Sequence, residues 1–146
     1  MFKQTSNFIK PGLVAGLVML IIMFLVSYGF VMIFPQIELE YSTQMYRSYD
    51  EPIMLLFYLM PFILGLIVSW VWTLTYIIMK GDELTKVVNF TLAFFVITQI
   101  PGMYATYTSM NVSLLMISSW MLANLLQVFF GTYVVSKMSK KKVSIF

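Results

Sequence analysis

The side chains with the widest chemical reach in this sequence lie close together. Glu38, Glu40, Asp50 and Glu51 share one stretch with Arg47 and with Tyr41, Tyr46 and Tyr49. Clustered carboxylates can hold a divalent cation, but their spacing here is not that of an EF-hand loop. They can also serve as bases, which acyl transfer at a membrane surface would require beside a nucleophile. Serines are plentiful, yet no histidine and no lysine within an apolar stretch stands ready to activate one. Within the same stretch Ile37, Tyr41, Met45 and Tyr49 recur every fourth residue, which predicts a short helix lying on the membrane surface.

A second set of chemically capable residues is embedded in apolar sequence: Tyr28, Tyr58, Gln99, Trp120 and Asn124. Phenol, amide and indole groups can line a pocket for a small neutral or lipid-like molecule. Chemistry beyond that is narrowly bounded. The chain has no cysteine and no histidine. This excludes disulfides, thiolate metal sites, iron–sulfur clusters, histidine-ligated haem or zinc, and histidine proton shuttles. Thirteen methionines invite a copper(I) reading, but they are scattered and read as packing filler. The sequence therefore implies no catalytic residues, no cofactor and no metal.

The elements that must position these residues follow from composition. Only 10% of the 146 residues are charged, 60% are hydrophobic, and the mean hydropathy is +0.88. A soluble domain carries about 25% charged residues. Four stretches, near 11–34, 52–79, 87–108 and 113–136, contain no Asp, Glu, Lys or Arg. Each has the roughly 20 apolar residues that a membrane span needs. The expected fold is all-α, a single domain forming a four-helix transmembrane bundle with antiparallel neighbours. The first span should stay as an anchor, because no small-residue cleavage site follows it. Charged groups inside a span usually mark ion or proton pathways. Their absence argues against a proton-coupled transporter or voltage sensor.

Two prolines interrupt the spans. If the third helix stopped before Pro101, the residues from Val87 to Ile100 would reach only about 21 Å, short of a hydrocarbon core of about 30 Å. The third helix is thus expected to continue, kinked, to about Thr108, and Pro61 should kink the second. Both breaks fall at similar depth from one side. There the kinks could splay the helices into a vestibule lined by Tyr28, Tyr58, Gln99, Trp120 and Asn124. The alternative is that these groups satisfy freed carbonyls and lock the bundle.

Orientation follows from the basic residues. Lys3, Lys10, Lys80, Lys86, Lys137, Lys140, Lys141 and Lys142 lie on one side, and only Arg47 lies on the other. The positive-inside rule places both termini in the cytoplasm, in what should be the cell membrane. The net charge of +3 is sorted by side and forms no nucleic-acid footprint. In the turn between spans two and three, Gly81 suits a helix C-terminus, and Asp82 or Glu83 can cap the next helix.

Helices in lipid associate through small residues and polar contacts. Gly12 and Gly16 on the first span suit close packing. So do Pro61, Gly65, Ser69 and Thr73 on the second, and Gln127 and Gly131, with Trp120 and Asn124, on one face of the fourth. Packing within the bundle is the simpler reading, and a homodimer seam at Gly12 and Gly16 is the sharper one. Trp70, Trp72 and Tyr76, like Tyr104 and Tyr107, read as interfacial aromatics. The functional expectation is a membrane protein without catalytic machinery. It would act through helix packing as a homo-oligomer or as an accessory subunit of a membrane assembly. The alternative is a channel, carrier or receptor for a small neutral or lipid-like ligand in the vestibule.

Overall fold

The computed structural model describes residues 8–42, 47 and 50–140. It is 86% helical, with no strand among the described residues. The helices are α1 (Ile9–Ile33), α2 (Gln36–Tyr41), α3 (Met60–Thr75), α4 (Glu83–Ser109) and α5 (Leu114–Lys140). A 3₁₀ segment, Pro52–Leu59, leads into α3 and completes the second span. Four helical stretches are long and apolar enough to cross a membrane, close to where the sequence placed them. Lys10, Lys80, Lys86 and Lys137 lie at one end, the lysine-rich end. α2 and the acidic residues Glu38, Glu40, Asp50 and Glu51 lie at the other, the loop end.

The prolines act differently. Pro61 stands in the first turn of α3, where its missing N–H leaves no orphan donor. The Phe57 carbonyl, which Pro61 cannot reach, accepts from the Met60 N–H instead. The tighter 3₁₀ spacing before α3 follows from that exchange. Pro101 lies inside α4, and the helix runs on past it to Ser109, as the length of the bilayer requires.

α4 is capped as expected. The Asp82 carboxylate accepts from the Thr85 N–H at 3.1 Å. Gly81 does not end α3, however, because α3 stops at Thr75, with Tyr76 as its cap. Gly81 instead turns the chain with a φ of +102°, a conformation that costs glycine little.

α5 is the central helix: it packs along α1 and α4 and, more briefly, against α3. α1 also lies along α3. The second and third spans, expected side by side, meet chiefly near their turn. There Trp72 stands between them, edge-on to Phe90 at 5.4 Å and tilted on Tyr76 at 5.6 Å. The large rings hold the two backbones apart. Trp72 is 1% exposed, so it is a core residue and not an interfacial one. Trp70, at 46% exposed, keeps its outward place. The main core joins Ala15, Met19, Val68, Trp72, Val87, Phe90, Val128 and Val135, all toward the lysine-rich end.

Candidate functional site

The small residues predicted to pack do so within the chain. A Cβ on Gly65 would lie within 2.6 Å of Gly16 N, and one on Gly16 within 2.6 Å of Phe62 Cα. One on Gly12 would lie 2.9 Å from Leu66 Cα. α1 and α3 thus touch backbone to backbone, which only glycine permits. The close approach fills both Gly12 and Gly16 with α3 and leaves no room there for a second copy. Ser69 adds a polar pin, donating to the Phe8 carbonyl at 2.9 Å. Thr73, the last of that series, is exposed and bonds its own helix at Trp70 O. Gly131 accommodates the Met19 side chain, whose Sδ would lie 3.3 Å from a Cβ there. Gln127 is buried beside it.

The proposed vestibule residues do not form one group. Tyr28 is 68% exposed. Tyr58 faces outward and stacks on Phe24 with ring centroids 5.6 Å apart. Gln99 and Asn124 are half-buried, on α4 and α5. Trp120 is committed elsewhere: its indole N–H donates to the Tyr41 hydroxyl at 2.7 Å. That bond belongs to a clasp at the loop end. α2 lies across the start of α5, with Ile37 buried among Val112, Met116 and Ile117. Glu40 accepts from the Ser113 N–H at 3.0 Å, and the Ser113 hydroxyl accepts from the Met116 N–H at 3.1 Å. A short helix, α2, does stand where Ile37 and Tyr41 suggested one, but Ile37 is buried against the start of α5. Met45 and Tyr49 lie outside the described residues, as does Tyr46. Arg47 pairs with Glu51 at 2.9 Å on an exposed edge. No group of three or more metal-ligating side chains occurs among the described residues.

At the lysine-rich end Glu83 links α4 to α5. Its carboxylate accepts from the Ser136 hydroxyl and from Lys137 Nζ, the latter at 3.1 Å. Lys86 lies over the Tyr76 ring at 4.1 Å. Asp82, beside Glu83, has its carboxyl held below the usual carboxylate range by the hydrogen bonds from Thr85.

Two features escaped the reading of the sequence. One is the uncovered part of α4. Its buried residues are Val87, Phe90 and Thr91, and none lies beyond them. Thr98, Gly102, Ala105 and Ser109, at spacings of three and four, form an exposed stripe of small residues. The hydroxyls of Thr98 and Ser109 donate to their own helix, at Phe94 O and Ala105 O. Nothing lies within 4 Å of a Cβ built on Gly102. The other feature is a pair of apolar grooves. The first is lined by Phe8, Leu66, Ile67 and Trp70. The second, of about 290 Å³, runs between Val88, Thr91 and Leu92 of α4 and Leu125, Leu126 and Phe129 of α5. The Thr91 hydroxyl, buried at its floor, has no hydrogen-bond partner among the described residues.

The fold and these surfaces define an all-α four-helix bundle with four membrane-length apolar helices. Compared with protein-family models, curated proteins and solved structures, the chain matches none.

Proposed function

We propose that this chain is a non-catalytic membrane protein that acts by helix packing, as a homo-oligomer or as an accessory subunit, and that the uncovered face of α4 is its contact. Both termini would lie in the cytoplasm, as the distribution of lysines suggests. The observation that carries the reading is a mismatch between α4 and α5. Both are less apolar than the other two spans, but 39% of the α5 span stretch is buried against 17% of that in α4. α5 buries Ser119, Gln127, Thr132 and Ser136 in the bundle, while α4 presents Thr98, Gly102, Ala105 and Ser109 outward among exposed Ile97, Ile100 and Tyr104. Lipid gains little from such a surface, whereas another helix gains close backbone contact. The hydroxyls along the stripe bond their own helix, so the face is short and smooth. This supports the packing reading over the vestibule reading, which lacks a shared pocket among its residues.

The absence of native cysteine makes the test clean. Ala105→Cys, oxidised in nanodiscs, should give a cross-linked dimer if copies pair through this face. Thr108→Cys and Met103→Cys, off the stripe, should not. A co-purifying subunit that loses its grip on Gly102→Leu would favour the accessory role. A chain that stays monomeric and unaccompanied, with no effect of Gly102→Leu, would overturn the proposal.

A further inference from the structure

The groove between α4 and α5 continues toward the lysine-rich end as a stripe of matched chemistry. Phe129, Tyr133 and Lys137 follow one another at four-residue spacing and so share a face of α5. Tyr133 is 39% exposed, and Lys137 Nζ lies over its ring at 5.2 Å. On α4, Leu84, Val88 and Leu92 form the facing row, each partly exposed. From Phe129 to Lys137 the helix rises about 12 Å, and from Leu125 about 18 Å. One leaflet of hydrocarbon is about 15 Å deep, half of the roughly 30 Å core. An apolar slot thus runs down from a cation over the depth of one leaflet.

We propose that this slot is a binding site for an anionic phospholipid of the lysine-rich leaflet. One acyl chain lies between Val88, Leu92, Leu125 and Phe129, and the phosphate sits at Lys137. Charge decides the class of lipid. Lys137 gives one contact to Glu83, but its side chain is 53% exposed, so its other donors face the surface. Lys140, Lys141 and Lys142 follow in the sequence, four lysines against the two carboxylates Asp82 and Glu83 of the α4 start. Glu83 is turned into the helix seam by Ser136 and Lys137. It competes with the phosphate for Lys137 and sets the strength of the site. The site is independent of the α4 contact proposed above.

The test is native mass spectrometry of the full chain from nanodiscs holding equal phosphatidylglycerol and phosphatidylcholine with identical acyl chains. The wild type should retain one phosphatidylglycerol in preference to phosphatidylcholine. Lys137→Gln should lower that preference about fivefold, the factor expected for one basic residue near the surface. Glu83→Gln should raise it, because the competing carboxylate is gone; a purely structural role for the Glu83–Lys137 pair predicts a fall in both variants. Leu92→Trp should fill the slot and strip the retained lipid of either kind. Equal retention of the two lipids by the wild type would overturn the site. So would an equal loss on Lys10→Gln, which removes an exposed lysine at the start of α1, away from the slot, and would show that surface charge alone is at work.

Discussion

The two ends of the bundle are built on different principles. At the lysine-rich end, α1 and α3 meet through glycine backbones, Met19 fits against Gly131, and Trp72 fills the space toward α4. Cohesion there is a matter of shape. At the loop end a smaller core gathers Met116 and Ile117 of α5 with Ile37, flanked by Phe30 and Val31 of α1 and Met103 of α4, and the 3₁₀ segment buries nothing. α2 pins that end, through one apolar plug, Ile37, and two polar bonds, Glu40 to Ser113 and Tyr41 to Trp120. A shape-fitted end tolerates no added atoms. A pinned end tolerates added atoms but not lost bonds.

The sharpest way to break the comparison is Gly65→Ala. Alanine normally helps a helix, but here its Cβ meets the Gly12 and Gly16 backbones. The expected cost is about 3 kcal/mol, the upper end for overpacking, read as a lowered midpoint in unfolding from mixed micelles. Ile37→Ala should cost about 2 kcal/mol, confined to α2, and should appear as faster amide exchange in α2 with α1 and α3 unchanged. Trp120→Phe removes the bond to Tyr41 and should cost about 1 kcal/mol; combined with Tyr41→Phe, the two losses should be less than additive. Gly29→Ala sharpens the contrast, since nothing lies within 4 Å of a Cβ there. It should raise stability by about 0.5 to 1 kcal/mol through helix propensity alone.

The smallest effect concerns pH. Asp82 has its carboxyl lowered by the Thr85 bonds. Its contribution is therefore present above the ordinary aspartate value of about 4 and is lost as pH falls through the lower folded value. The difference in Tm between wild type and Asp82→Asn should shrink as the solution is acidified from neutral pH through the lowered folded value of Asp82.

Much of this could be read from residues alone. Four uncharged stretches set the spans, Asp82 announced the α4 cap, and the length argument carried α4 past Pro101. Gly12, Gly16 and Gly65 were recognised as packing residues because small groups four apart have few other uses in lipid. Pairing between helices was harder. In a bilayer all faces are apolar, so the polar stripe that orients a soluble helix is missing. The polar face of Gln127 and Gly131 turns α5 inward, but nothing in the local pattern tells that α5 contacts all three other spans or that Trp72 is core. The clasp was hidden for another reason. Trp120 and Tyr41 lie in separate segments, and the indole read equally well as a vestibule wall or a packing face. The vestibule rested on matching depths along helices, and depth alone does not bring Tyr28, Tyr58 and Trp120 together around the axis.

The pairing of α1 with α5 bears on how the molecule is made. α1 and α3 can lock glycine to glycine while α4 and α5 are still to be synthesised, since chains begin to fold as they emerge. Met19 then has no Gly131 to rest on, and the core that holds Ala15 and Met19 lacks Val128 and Val135. Until α5 enters the bilayer, the face of α1 that becomes core stays turned to lipid or to an insertion factor. Completion waits for the helix that reaches back across the whole sequence.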